Sequence, residues 1–228
     1  MDKVEVKFGE WIGSGFELYK ENLGVLILAS LIAMVLSVAT LGILAGPMMA
    51  GVLLITLSLF DKKEPRPQVG DVFKGFDYFL QTLLFFIVWG LGIFVASVIL
   101  GLVPCVGQLA SVLLVFVAHA FLMFGLFLII ERQMDFWPAS MASFEKIKTN
   151  FLPFLGFSVV VGIIGSIGGI ACGIGVCLTA PIQACILTVA YREVFDGVIR
   201  PSATSGKPIN APKTEQETAD DPISDDKL

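Results

Sequence analysis

The distribution of charge along the chain constrains its fold more than any other feature. No Asp, Glu, Lys or Arg occurs in three long blocks, residues 22–60, 78–130 and 149–191. A membrane-spanning helix needs about 17–25 apolar residues, so each block is too long for one crossing and has the length of a helical hairpin. The composition agrees, because 56% of the residues are hydrophobic and only 15% are charged. The sequence therefore predicts an all-α integral membrane protein with six transmembrane helices.

The basic residues predict which side of the membrane each segment faces. All 15 Lys and Arg residues lie before, between or after the three blocks, and the turns inside the blocks have none. Because Lys and Arg concentrate in cytoplasmic loops, we expect a multi-pass protein of the cytoplasmic (inner) membrane with both termini in the cytoplasm. The net charge of −5 and the lack of a basic stripe argue against a nucleic-acid partner.

An internal repeat organises the chain. Residues 16–22 and 144–150 carry Phe, Glu, Lys and Asn at the same spacing, and a more diverged copy contains Phe73 and Phe76. Each copy precedes a charge-free block, and each block contains a hairpin proline: Pro47, Pro104 and Pro181. The pattern predicts three pseudo-repeated hairpins, about residues 4–61, 70–131 and 135–195, each preceded by a cytoplasmic amphipathic helix.

Domain organisation follows from a change in composition near residue 197. Residues 1–196 are predicted to form a single six-helix membrane domain. Residues 197–228 are rich in Pro, Ser, Thr and Asp and have almost no large apolar side chain. Such a composition cannot bury a core, and it predicts a disordered acidic cytoplasmic tail.

Three aromatic residues of the predicted amphipathic helices, Trp11, Tyr19 and Trp137, are expected at the membrane interface, where amphipathic rings are enriched. The alternative for the first helix is that its apolar face packs on its own bundle. Both arrangements are compatible with the spacing of three and four residues between its apolar positions.

Polar residues inside the predicted spans are few. His119, Gln183 and Gln108 are the candidates for lining a cavity, and the competing interpretation is hydrogen bonding between neighbouring helices. The glycines Gly165, Gly169 and Gly173 recur every four residues. This spacing predicts a flat stripe on which another helix packs closely.

No catalytic chemistry is apparent in the sequence. The single histidine makes neither a metal site nor a triad, and no phosphate loop or nucleophile elbow occurs. Cys105, Cys172 and Cys177 are expected near the translocated face, either as packed thiols or with two of them in a disulfide. We therefore expect no enzyme activity, no cofactor and no metal.

Three features together resemble a group of bacterial membrane proteins without a defined activity. These features are the segments 16–22 and 144–150, the small-residue-and-proline turns at Pro47 and Pro181, and the loop of residues 71–76. The group includes the YciC-like proteins and the membrane domain attached to some glycerophosphodiester phosphodiesterases. The resemblance covers about residues 5–195 and implies a six-helix cytoplasmic-membrane protein. The phosphodiesterase catalytic domain has no counterpart, so that activity is not implied.

Two functions fit this sequence. The first is a non-enzymatic membrane protein that organises membrane, interacts with lipid or recruits a protein partner at its cytoplasmic face. The second is a permease-like transporter of a neutral or lipid-like solute. The first predicts a dry bundle with all polar side chains paired, and the second predicts a cavity that reaches His119 or Gln183. The sequence leaves oligomerisation open.

Overall fold

The computed structural model describes residues 6–104, 106–170 and 175–197, and this part of the chain contains helices and turns without any β-strand. A 3₁₀ segment covers Val69–Tyr78 and a π-helical turn covers Arg192–Asp196. The α-helices are α1 (Phe8–Glu21), α2 (Leu23–Ala39), α3 (Ala45–Phe60), α4 (Phe79–Gly101), α5 (Val106–Leu122), α6 (Gly125–Arg132), α7 (Phe136–Lys148), α8 (Phe151–Ile170) and α9 (Val176–Tyr191). The all-helical prediction is confirmed for these residues.

The structure corrects the predicted number of six membrane crossings to a smaller one. Within the described ranges, two continuous helical stretches are long and apolar enough to cross a membrane, Val69–Gly101 and Val106–Arg132. The number rises to four if each of two bent helix pairs is a single span. The helix α3 has 16 residues and is about 24 Å long, which is shorter than a hydrocarbon core of about 30 Å. The length of the charge-free blocks predicted too many crossings because turns and short helices inside them are also uncharged.

Both bent pairs turn at the repeated asparagines. The axes of α1 and α2 differ by 91° across Asn22, and those of α7 and α8 differ by 112° across Thr149 and Asn150. At the first corner, the Asn22 side-chain amide donates a hydrogen bond of 3.0 Å to the Leu18 carbonyl oxygen. This bond occupies one of the carbonyls that a helix end leaves without a partner. The two matching sequence segments therefore end at sharp corners between a charged helix and an apolar one.

The helix α9 lies at the centre of the bundle, in contact with α1, α2, α3 and α8. Its second half is buried from Ala184 to Tyr191. Gly15 of α1 approaches the α9 backbone so closely that an added Cβ would lie 2.6 Å from the Ile186 Cα atom. Because Gly15 has no side chain, α1 can pack closely on α9.

Trp11 and Tyr19, which were predicted at the membrane interface, do not lie on the surface of the protein. Trp11 is fully buried and Tyr19 is only 6% exposed. The Trp11 ring packs edge-on against Phe157 and is stacked with Phe154 of α8. The alternative in which α1 packs on its own bundle is therefore the observed one, because α8 and α9 together cover its apolar face. Trp137, in contrast, is 54% exposed.

A second close approach joins α3 to the 3₁₀ segment. A Cβ on Gly51 would lie 1.8 Å from the Val72 carbonyl oxygen, and a Cβ on Gly75 would lie 1.9 Å from the Pro47 carbonyl oxygen. The two backbones therefore touch directly. This contact turns Val72 and Gly75 toward α3 and leaves Phe73 exposed.

Two predicted features lie outside the described residues. The acidic tail 197–228 falls there except for Gly197, and so do Cys105, Cys172 and Gly173. The single membrane domain and the boundaries of the three repeats stay predictions.

Candidate ligand cavity

His119 and Gln183 lie on the wall of one cavity of about 350 Å³. The cavity is enclosed by side chains of α3, α4, α5, α6 and α9 and by Met123 in the link between α5 and α6. We call it the His119–Gln183 cavity. Its apolar wall includes Met49, Leu53, Phe85, Trp89, Met123, Leu126, Phe127 and Leu187. A space of this size, apolar with a few polar groups, is typical of a site for a small molecule.

Some of the residues of α4 and α5 that line this cavity are exposed on the outer surface of the bundle, and we call this exposed rim the mouth of the cavity. Phe86 and Val115, which both line the cavity, are 40% and 46% exposed. Gly90 lies at the same rim and is also exposed. The helices α4 and α5 belong to the two stretches that are long and apolar enough to cross a membrane.

His119 is held in place by α8. Its Nδ1 atom lies 2.8 Å from the Ser158 hydroxyl, which in turn lies 3.5 Å from the Phe116 carbonyl oxygen. This contact fits the predicted interhelical hydrogen bond. Nδ1 is occupied by Ser158, so Nε2 is the ring atom that a ligand in the cavity would meet.

Gln183 follows Pro181 within α9 and packs against the bare backbone of α8. A Cβ on Gly165 would lie 2.6 Å from the Gln183 Oε1 atom. The Gln183 amide makes no hydrogen bond to any residue that the structure describes. An amide on an apolar wall that keeps its donors and acceptor available is suited to orienting a bound molecule.

The glycine contact between α8 and α9 includes one residue of the predicted stripe and one further glycine. Gly165 does face α9, and the second close position is Gly168, where an added Cβ would lie 2.1 Å from the Thr179 hydroxyl oxygen. The surroundings of Gly169 and the whole of Gly173 lie outside the described part of the chain. Gly168 lies three residues after Gly165 and can share its contact face, because a helix has 3.6 residues per turn.

Trp89 is a cavity residue that the sequence did not single out. Its Nε1 atom donates a hydrogen bond of 2.9 Å to the Ser140 hydroxyl of α7, and its ring stacks on Trp137 with centroids 6.2 Å apart. The predicted interfacial residue Trp137 thus supports a cavity wall. An indole in a charge-free block needs a hydrogen-bond partner when buried, and this requirement is the one signal that could have identified Trp89.

A second cavity of about 310 Å³ lies between α2, α3 and α9. We call it the Met34 cavity. Met49 and Phe86 line both cavities, so the two spaces are neighbours separated by these side chains. Met48 follows the hairpin residue Pro47, which lies in the first turn of α3 and is buried.

Gln108 and Pro104 are not part of either cavity. Gln108 is exposed near the start of α5, and Pro104 lies in the turn that joins α4 to α5. Cys177 carries a free buried thiol at the start of α9. Gln108 is therefore removed from the predicted group of cavity residues, and His119 and Gln183 remain in it.

A charged cluster closes the opposite end of the bundle. The Arg192 guanidinium donates hydrogen bonds of 2.6 Å to Asp61 and to Asp196, and it also pairs with Glu131. Asp61 follows α3, Glu131 lies near the end of α6 and Arg192 follows α9. We call these four residues the Arg192 cluster. Burial disfavours the charge of Arg192, but its bond to Asp196 and the charges of Glu131 and Asp61 raise its pKa overall.

A neighbouring ion pair joins α1 to the end of α9. The Lys7 ammonium lies 3.1 Å from the Glu193 carboxylate, whose other oxygen accepts a hydrogen bond of 2.6 Å from the Trp11 indole. The hydrogen bond to Glu193 is the largest of the effects that raise the pKa of Lys7. Glu193 therefore connects the first described turn of the chain to the last.

Comparison with known proteins identifies no relative: no family model, no curated protein and no solved structure matches the chain. The resemblance to the YciC-like group stays a prediction, and the function has to be argued from the geometry of the cavity.

Proposed function

We propose that this chain is a non-enzymatic, multi-pass membrane protein that holds an apolar, lipid-like molecule in the His119–Gln183 cavity. The observation that carries this proposal is the cavity itself, an apolar space of about 350 Å³ with two polar side chains on its wall. Of the two interpretations of the sequence, the dry bundle with every polar group paired agrees less well with this space and with Gln183.

The chemistry of the wall supports a lipid-like ligand. Aromatic rings and methionines, such as Phe85, Trp89 and Met123, would contact an acyl chain or a similar apolar body. Burying apolar surface contributes about 25 cal/mol per Å², so such contacts supply most of the affinity. His119 and Gln183 would then orient one polar group of the ligand through hydrogen bonds.

The mouth between α4 and α5 supports the same ligand class. The exposed faces of these helices carry Leu91, Phe94, Val98, Leu109, Val112 and Leu113. A patch of this kind is expected to face lipid, and a molecule dissolved in that lipid would reach the mouth without crossing water.

A multi-pass topology in the cytoplasmic membrane, with both termini in the cytoplasm, belongs to this proposal. The Arg192 cluster gathers the ends of α3, α6 and α9 on one side, together with Lys7. The opposite turns are uncharged, and the two that the structure describes at residues 40–44 and 102–104 are largely exposed, with Leu41 at 95%. In this arrangement α3 and α9 are short central helices shielded by longer neighbours, as tolerated where apolar segments are buried in protein. A protein partner would bind at the charged side.

Mass spectrometry of the full chain, extracted from lipid and kept in detergent, tests the proposal. We expect one retained lipid per chain and at least tenfold lower occupancy in Gly90→Leu. Nothing lies within 4 Å of a Cβ at Gly90, so a leucine fits the backbone and obstructs the mouth. Gly92→Leu, on the same helix and equally open, is the matched control. Equal occupancy in both variants, or no retained lipid, would refute the proposal.

The permease-like alternative is favoured by one observation, the adjacency of the two cavities. The Met34 cavity is lined by residues next to the uncharged turns, and it shares Met49 and Phe86 with the His119–Gln183 cavity. Solute flux into vesicles containing the full chain distinguishes transport from binding. Transport predicts flux that falls in His119→Ala, whereas a protein that only binds lipid gives no flux above empty vesicles.

A further inference from the structure

Sulfur-containing residues line the Met34 cavity from three different helices. Met34 comes from α2, Met48 and Met49 come from the first turns of α3, and Cys177 comes from the start of α9. The remaining wall consists of small and apolar side chains together with Ser30 and Ser37. No carboxylate lies on the wall.

From this arrangement we infer that the Met34 cavity is a binding site for a soft monovalent cation, Cu(I), coordinated by Met34, Cys177 and one methionine of the Met48–Met49 pair. Thioether and thiolate sulfur are the ligands that select Cu(I). Hard cations such as Mg²⁺ and Ca²⁺ need oxygen ligands, which this wall supplies only as two serine hydroxyls. The inference is independent of the proposed lipid cavity.

The geometry of the closest pair supports a shared ion. The Cys177 Sγ atom lies 3.5 Å from the Met34 Sδ atom. Metal–sulfur bonds are about 2.3 Å long, so one ion bound to both atoms would subtend an angle of about 100° between them. This angle is close to the tetrahedral value. The two first ligands are therefore already at the separation that coordination requires.

The position of the cavity provides an approach for the ion. Val176 is the first residue of α9, Ala45 is the first residue of α3, and Ser37 lies near the end of α2. The site therefore lies at the end of the bundle formed by the uncharged turns, away from the Arg192 cluster. Cu(I) would bind the Cys177 thiolate and release the thiol proton to water, so the apparent affinity should rise with pH.

Competition between the full chain and a chromophoric Cu(I) chelator, under oxygen-free reducing conditions, tests the inference. Cys105→Ser and Cys172→Ser form the background, in which Cys177 and Cys185 are the remaining cysteines of the sequence. We expect one Cu(I) per chain, with an association constant at least tenfold lower in Met34→Leu and in Cys177→Ala. Met141→Leu, which changes an exposed methionine of α7, should bind like the parent.

Copper-edge X-ray absorption of the loaded parent provides a readout that does not depend on the variants folding equally. Sulfur scatterers alone, at about 2.3 Å, support the site. Nitrogen or oxygen scatterers in the first shell would overturn it. Absence of chelator-resistant copper in the parent, or equal retention by Met34→Leu and Met141→Leu, would also overturn it.

Discussion

Arg192, just after α9, donates a hydrogen bond of 2.6 Å to the carboxylate of Asp61, just after α3, across 131 residues of chain. The same guanidinium reaches Glu131 and Asp196, although its side chain is only 10% exposed. Three carboxylates thus converge on one cation at the charged end of the bundle. The energetic consequences of this and of three other contacts can be measured.

Arg192→Met should strongly destabilise the protein. Removing one partner of a buried ion pair costs about 3–5 kcal/mol, because the remaining charges lose their compensation. Arg132→Met is the matched control: Arg132 is half exposed and has one ion pair, of 3.4 Å, to Asp196. Such an exposed pair contributes at most about 1 kcal/mol. Unfolding in detergent, followed by circular dichroism, should rank the two variants in this order, and equal midpoints would contradict the buried cluster.

Gly75→Ala should separate α3 from the 3₁₀ segment. The new methyl group would meet the Pro47 carbonyl oxygen at 1.9 Å and the Gly51 nitrogen at 2.5 Å, and both are backbone atoms that cannot rotate away. Overpacking of this kind typically costs 1–3 kcal/mol, occasionally more. Gly70→Ala, in the same segment but with nothing within 4 Å of its Cβ, should change the free energy of unfolding by about 0.5 kcal/mol or less. A tolerated alanine at position 75 would show that this backbone contact is not formed.

The ion pair between Lys7 and Glu193 predicts a pH dependence. The pKa of Lys7 is raised above its ordinary value of 10.5, so its stabilising contribution is fully present below that value and is lost as the pH rises through the raised folded-state pKa. The difference in unfolding midpoint between the parent and Lys7→Met should therefore be constant from about pH 7 to 9 and shrink above about 10.5. A difference that shrinks instead between pH 7 and 9 would show that Lys7 is not the titrating group.

Thr56 and Thr188 should prove energetically coupled. The Thr188 hydroxyl lies 2.8 Å from the Thr56 hydroxyl and also donates 2.8 Å to the Ala184 carbonyl oxygen, and both side chains are fully buried. Thr188→Val or Thr56→Val alone removes one partner of the remaining buried hydroxyl and should lower the free energy of unfolding by about 1–3 kcal/mol. Replacing both with valine should cost less than the sum of the two single changes. Strict additivity in this double-mutant cycle would mean that the two hydroxyls do not interact.

The sequence predicted part of this architecture, namely the positions of the two helix corners and two residues of the candidate ligand cavity. The matching segments that end at Asn22 and Asn150 marked both bends, and His119 and Gln183 stood out as the rare polar groups in apolar blocks. Trp89 and the sulfur residues did not stand out, because a tryptophan or a methionine in a charge-free segment has the same pattern whether it faces a cavity, another helix or lipid.

The sequence by itself determined the helical, membrane-compatible class and the ends of the apolar segments. These properties are local, since a charge or an unpaired backbone group in hydrocarbon is costly whatever its neighbours are. Only the tertiary structure decided that Trp11 is buried, that Arg192 gathers three carboxylates, and that His119 and Gln183 share one cavity. Each of these features depends on the distance between residues that are far apart in the chain. The packing of whole helices sets that distance, and local hydropathy does not encode it.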